Sequence, residues 1–127
     1  MANNFRIATS DGRFLTLLTV GGPVTAQVDN PAALNQIWNI PNYDGHNSTI
    51  QNLGFQVPMP FAVADGPAII GNQAPIAWNF VDAGGNNYLQ QVGTGLTWRA
   101  APGAGGIVTL APVNFADPTQ QLAITPA

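Results

Sequence analysis

Short runs of alternating apolar and polar residues, each cut off by a turn, recur along the whole chain. "NFRIAT" ends at Ser10–Asp11–Gly12, and "RFLTLLTV" keeps the same period of two until Gly21–Gly22–Pro23. "VTAQV", the turn Asn30–Pro31–Ala32–Ala33 and "NQIWNI" complete a block of four segments. The pattern then starts again with "STIQNLG", "FQVPMPF", the turn Asp65–Gly66–Pro67, "AIIGN" and "IAWNF". A third block runs through "NYLQQVGTG", "LTWRAA", the Gly103–Ala104–Gly105–Gly106 break, "IVTLAPV" and "QQLAIT". Alternation over a few residues between turn signals predicts half-buried strands, because successive side chains point to opposite faces. Ile7, Leu15, Leu17, Val108 and Leu110 are the expected inward-facing members.

The blocks share a landmark. Trp38–Asn39–Ile40 is followed 40 positions later by Trp78–Asn79–Phe80, and 44 positions further on Leu122 stands at the corresponding place. Dividing 127 residues by three gives about 42, so the period fills the chain. This predicts one domain over 1–127, in repeats of about 1–44, 45–84 and 85–127. Three four-stranded units can close into a barrel with hairpin caps, which removes the exposed edges of an open sheet. A propeller needs about four blades or more, and an immunoglobulin-like sandwich has no threefold period. The expected fold is all-β, a β-trefoil with pseudo-threefold symmetry. In it Trp38 and Trp78 plug the barrel, and Gln36 bonds a backbone group left without a partner.

Composition supports strands and narrows the function. The chain has no Lys, no Glu and no Cys; its charge comes from three Arg and six Asp, and its polarity largely from 13 Asn and nine Gln. Strong surface helix formers are scarce, while 14 Gly and 11 Pro punctuate the chain. A net charge of −3 with scattered arginines argues against nucleic acid and against a basic membrane-binding face. No apolar run is long enough to span a bilayer. The opening "MANNFRIATS" has no cationic segment followed by an apolar one, and the lack of Cys fits a reducing compartment, so a cytoplasmic location is expected. On that expectation the Asn47–Ser48–Thr49 sequon is inert.

At "NQIWNI" the chain resembles the ricin B-type lectins and their small fungal relatives, β-trefoils whose repeats end in Gln–x–Trp. The motif is complete as Gln36–Ile37–Trp38; Ile76–Ala77–Trp78 keeps the Trp, and Gln120–Gln121–Leu122 keeps the Gln. Fungal β-trefoil protease inhibitors share this scaffold and similar "QIW" segments. The lectin resemblance implies a sugar site built from an acid on the second strand, an aromatic platform and the Asn before Gln–x–Trp. Asn35 matches that Asn. The acidic position aligns with Thr16, Met59 and Arg99 in the three repeats, so the site is altered. The candidate ligand-binding residues are therefore Asp11, Thr16 and Asn35, with Trp98 and Tyr43 as aromatic surfaces. Trp98 lies outside the repeat pattern, and half-exposed it would make a platform.

The inhibitor reading instead uses Arg13, just after the Ser10–Asp11–Gly12 turn, as a residue a trypsin-like protease could accept. Nothing spells out catalysis: the one histidine, His46, reads as a solvated loop residue, and no metal or cofactor is implied. "GAGG" at 103–106 lacks the lysine of a phosphate cradle. The expectation is a non-enzymatic carbohydrate-binding protein with glycan partners. A protease inhibitor is the alternative, and a recognition or storage protein with neither activity the third. The low charge is compatible with a homodimer.

Overall fold

A computed structural model of the chain describes residues 3–56 and 59–127. The strands are β1 (Asn4–Thr9), β2 (Phe14–Leu17), β3 (Val24–Gln27), β4 (Trp38–Asn39), β5 (Asn47–Thr49), β6 (Gln51–Asn52) and β7 (Phe61–Asp65). They continue with β8 (Ala68–Asn72), β9 (Ala77–Ala83), β10 (Asn86–Gln91), β11 (Leu96–Ala100), β12 (Gly106–Pro112) and β13 (Leu122–Pro126). One-turn 3-10 helices at Leu34–Gln36, Tyr43–Gly45 and Pro118–Gln120 fill three of the connections.

The pairing closes on itself. β1 lies between β4 and β13, β4 pairs β6, β5 pairs β9, β9 pairs β10, and β10 returns to β13. Only Ile50 separates β5 from β6, so the two act as one stave and the barrel has six. Hairpins β2–β3, β7–β8 and β11–β12 cover one end. They meet one another through β3–β12, β8–β12 and a bridge between Pro23 and Ile70. Gly71 sits where the hairpins crowd; any Cβ there would collide with Leu17. The β9–β10 hairpin turns on Gly84 and Gly85, at φ 60° and 83°, the two positive values that a tight twisted turn demands.

The threefold relation is visible in the register. Trp38 stands opposite Phe5 and Asn52, Trp78 opposite Ser48 and Gln91, and Leu122 opposite Asn87 and Thr9. Within each repeat the first-strand residues so engaged, Phe5 and Thr9, Ser48 and Asn52, Asn87 and Gln91, are four apart. First and second strands join at Ala8–Phe14, Gln51–Phe61 and Gln90–Thr97, which makes Leu15, Ala62 and Trp98 equivalent.

These triads explain how the core fills. Trp38 donates its indole N–H to the Leu15 carbonyl at 3.0 Å, and Trp78 donates to the Ala62 carbonyl at 2.8 Å. In the third repeat the large and small members change places, with Trp98 on the second strand and Leu122 on the fourth. Trp98 is 1% exposed and packs edge-on against Trp78, ring centroids 5.1 Å apart. Its position is set by the volume that Leu122 leaves empty, so it is a core residue and not the half-exposed platform the sequence suggested. The exchange has a cost: the Trp98 indole N–H is buried without a partner among the described residues. Ile7, Leu15, Leu17 and Val108 are buried as expected, and Leu110 packs partly buried against them.

One strand is displaced from its expected place. "FQVPMPF" reads as the second strand of repeat two, yet β7 begins only at Phe61, and residues 57 and 58 lie outside the described region. A proline has no N–H to give a ladder, and this run contains two. Val63, not Met59, is therefore the repeat-two counterpart of Thr16, while Arg99 is the repeat-three counterpart as aligned.

The exchanged pair generates a double-mutant prediction. Trp98→Leu should cost about 2–5 kcal/mol by emptying the core, and Leu122→Trp about 1–3 kcal/mol by overfilling it. Combined, they rebuild the arrangement of repeat one and give the new indole a carbonyl. Urea unfolding should find the double variant at least about 1 kcal/mol more stable than the sum of the single losses.

Candidate functional site

The connection from β3 to β4 is long and polar, and a glutamine holds its shape. Gln36, almost wholly buried, donates from Nε2 to the Val28 carbonyl at 2.9 Å and accepts the Asn30 N–H at 2.9 Å. The same Oε1 accepts from Arg6 Nη2 at 2.8 Å; that nitrogen also bonds Asp29, and the guanidinium lies 3.8 Å over the Phe14 ring. Gln120 repeats the clamp in the third repeat, donating to the Pro112 carbonyl at 2.9 Å and accepting the Asn114 N–H at 2.7 Å. Repeat two has Ile76 at this position, and its β8–β9 connection is only residues 73–76. Without the amide there is nothing to hold a longer loop.

Held off the hairpin in this way, the repeat-one loop encloses an open groove of about 420 Å³. Thr16 and Leu18 contribute from the β2 side, Gln27, Val28, Asp29 and Asn30 from the end of β3, and Ala33, Asn35 and Gln36 from the loop. Polar reach comes from Asp29, Asn30 and Asn35. Asp29 is half-exposed, and Arg6 occupies its Oδ1 alone. The Asn35 backbone carbonyl accepts from Asn52, whereas its side-chain amide has no hydrogen bond among the described residues. Thr16 is buried at the groove floor, its hydroxyl turned to the Phe14 carbonyl at 2.9 Å. Leu18 and Val28 are exposed aliphatic walls.

No family model and no curated protein matches the sequence. Solved structures do resemble it in shape. The Rhizoctonia solani agglutinin has 15% identity and a TM-score of 0.80, with 100% of this chain and 96% of that one covered. A ricin B-like lectin from Macrolepiota procera, solved with lactose, has 13% identity and a TM-score of 0.78, covering 100% and 98%. A mosquitocidal holotoxin gives 15% identity and a TM-score of 0.86, but all of this chain spans only 17% of that one. The fold is a β-trefoil. At these identities the likeness is one of architecture.

On this trefoil the expected site residues divide into separate places. Thr16 and Asn35 share the groove; Asp11 does not join them. It lies in a cleft of about 220 Å³ with Thr9, Ser10, Arg13, Pro102, Pro118 and Thr119. Arg13 is 9% exposed and anchored through two of its three nitrogens: Nε bonds both Asp11 oxygens at 3.0 Å, and Nη1 bonds the carbonyls of Ala101 and Gly103. A residue so tied across two repeats cannot enter a protease pocket without dismantling the turn, which corrects the inhibitor-loop expectation. Tyr43 is packed between Phe5 and Phe80, centroids 4.8 Å and 5.7 Å away, with its hydroxyl donating to Asn87 Oδ1 at 3.3 Å. It wedges the barrel wall and lines neither cavity. Asp29 and Asn30 escaped the sequence reading because the acid was sought on the second strand. Their signal was the polar Asp29–Asn30–Pro31 turn directly ahead of the intact motif.

Two carboxyls have shifted affinities for the proton. Asp11 is held below the ordinary carboxylate value, first by the Thr9 hydroxyl and then by Arg13. Asp117 is lowered by the Thr119 hydroxyl and backbone N–H, with a smaller contribution from Arg99. His46 is exposed and in the left-handed region at φ 60°. Among the described residues no three His, Cys, Asp or Glu gather as a metal site would require.

Gln36→Leu should cost about 1–3 kcal/mol, because Asn30 N–H and the Val28 carbonyl both lose their partner. Hydrogen exchange should then show the Asn30 amide unprotected, with the 73–76 connection unchanged. A folded pKa below the unfolded one gives stability that is complete above the unfolded value and is lost as pH falls through the folded value. The thermal midpoint should therefore hold from about pH 7 to 5 and decline below about pH 4. In Asp11→Asn/Asp117→Asn the decline should be shallower.

Proposed function

We propose that this chain is a non-enzymatic carbohydrate-binding protein, a ricin B-like lectin with an altered site, and that the repeat-one groove is its binding surface. The observation that carries the reading is the set of unsatisfied polar groups in that groove. Asp29 keeps an oxygen free to accept from sugar hydroxyls, in bonds strengthened by its charge. The Asn35 amide can donate and accept beside it. Leu18 and Val28 line the groove and offer exposed aliphatic surface to the C–H side of a sugar ring. Aliphatic walls give less contact than an indole, so affinity at one groove is of the order of millimolar, about −4 kcal/mol. The whole-chain likeness to a lectin solved with lactose supports the same direction.

A hydrolytic role finds no support in the groove. Cleavage of a glycosidic bond ordinarily uses two carboxyl groups flanking it, and Asp29 is the single titratable residue among the described residues that line this surface.

A glycan array followed by titration calorimetry tests the proposal. Wild-type protein should capture a subset of neutral glycans, and Asn35→Ala and Asp29→Asn should each weaken capture about tenfold or more, roughly 1.4 kcal/mol. An array left blank at high protein concentration would remove the lectin reading.

A further inference from the structure

The second cleft has chemistry of its own. Pro102, Pro118, Ser10 and Thr119 line it, together with the half-exposed Asp11 carboxylate where it meets the buried Arg13 guanidinium. The arginine is more than nine-tenths buried, yet its bonds leave from Nε and Nη1 alone. Nη2 has no partner among the described residues, and it is not one of the side-chain nitrogens sealed from solvent. Asp11 is equally unfinished. Oδ1 accepts from both Thr9 and Arg13, while Oδ2 accepts from Arg13 only.

An acceptor and a donor thus belong to one ion pair, held by Thr9 and by two backbone carbonyls, in a cleft smaller than the ~300 Å³ of drug-sized pockets. An anion approaching Nη2 would meet the Asp11 carboxylate, and a cation approaching Oδ2 would meet the guanidinium. A pair of neighbouring hydroxyls suits both: one donates to Oδ2 while the next accepts from Nη2. The prolines offer C–H surface to the ring that carries them. Because Arg13 is locked by two backbone carbonyls, little side-chain freedom is lost on binding.

We propose that this cleft, between the β1–β2 and β11–β12 turns, is a second ligand site that takes one neutral polyol ring through the Asp11–Arg13 pair. It shares no lining residue with the repeat-one groove.

Amide and arginine Nε–H NMR shifts, followed during titration with glucose, galactose, glycerol and sodium acetate, test the site. At least one of the neutral sugars should move the signals of Asp11, Arg13 and Thr119. Asp11→Asn and Ser10→Phe, the second placing a ring over the cleft from an exposed turn, should weaken that response tenfold or more. Asn35→Ala should leave it intact, which separates this site from the groove. The proposal is overturned if no polyol moves these signals, if acetate moves them as strongly, or if Asn35→Ala abolishes the response while Ser10→Phe does not.

Discussion

A closed barrel of six short staves encloses a volume that only its own side chains can fill, and every other feature is arranged around filling it. Each repeat offers two inward places, one on its second strand and one on its fourth. An indole occupies one place per repeat and a smaller residue the other: Leu15 with Trp38, Ala62 with Trp78, Trp98 with Leu122. When the indole is on the fourth strand its N–H finds the second-strand carbonyl, so packing and hydrogen bonding agree. In the third repeat packing is satisfied and the hydrogen bond is not. Volume takes precedence over one polar bond because a void on the scale of a Trp side chain costs about 3–5 kcal/mol, against about 1–3 for an orphaned donor.

The loops inherit their shape from that interior. Gln36 and Gln120 stand two residues before the fourth-strand core position, so a buried amide reaches the returning connection at the same height in both repeats. The two clamped loops differ in their charged neighbours. Repeat one has the uncharged Thr16 on its second strand and holds Asp29 through Arg6; repeat three has Arg99 at the equivalent strand position and uses Asp117 to cap its own turn. Repeat two keeps only the short 73–76 connection. A threefold scaffold therefore carries three chemically distinct surfaces.

The architecture was readable from the alternation, the turns and the spacing of Trp38, Trp78 and Leu122, because those signals arise within each repeat. What failed depended on partners far away in sequence. Trp98 looks unattached until Leu122, 24 positions on, is seen to leave room for it. Arg13 looks like a free turn residue because its acceptors, the carbonyls of Ala101 and Gly103, belong to the last repeat. Tyr43 looks like a surface ring until the barrel brings Phe5 and Phe80 to either side. In the groove, Asn35 could be placed from the motif and Thr16 by counting from the Ser10–Asp11–Gly12 turn, whereas Asp29 is held by Arg6 on another strand.

The pairing of β1 with β13 has a kinetic consequence. Phe5 lies against Pro126, and Arg13 ties the β1–β2 turn to the β11–β12 turn of the last repeat, so the barrel does not exist until the two extremes of the described chain have met. Loop-closure entropy must be overcome before those contacts yield any stabilisation, which puts such topologies among the slow folders, on the order of milliseconds to seconds. Until β1 and β13 pair, each of these two staves has one edge without its ladder partner.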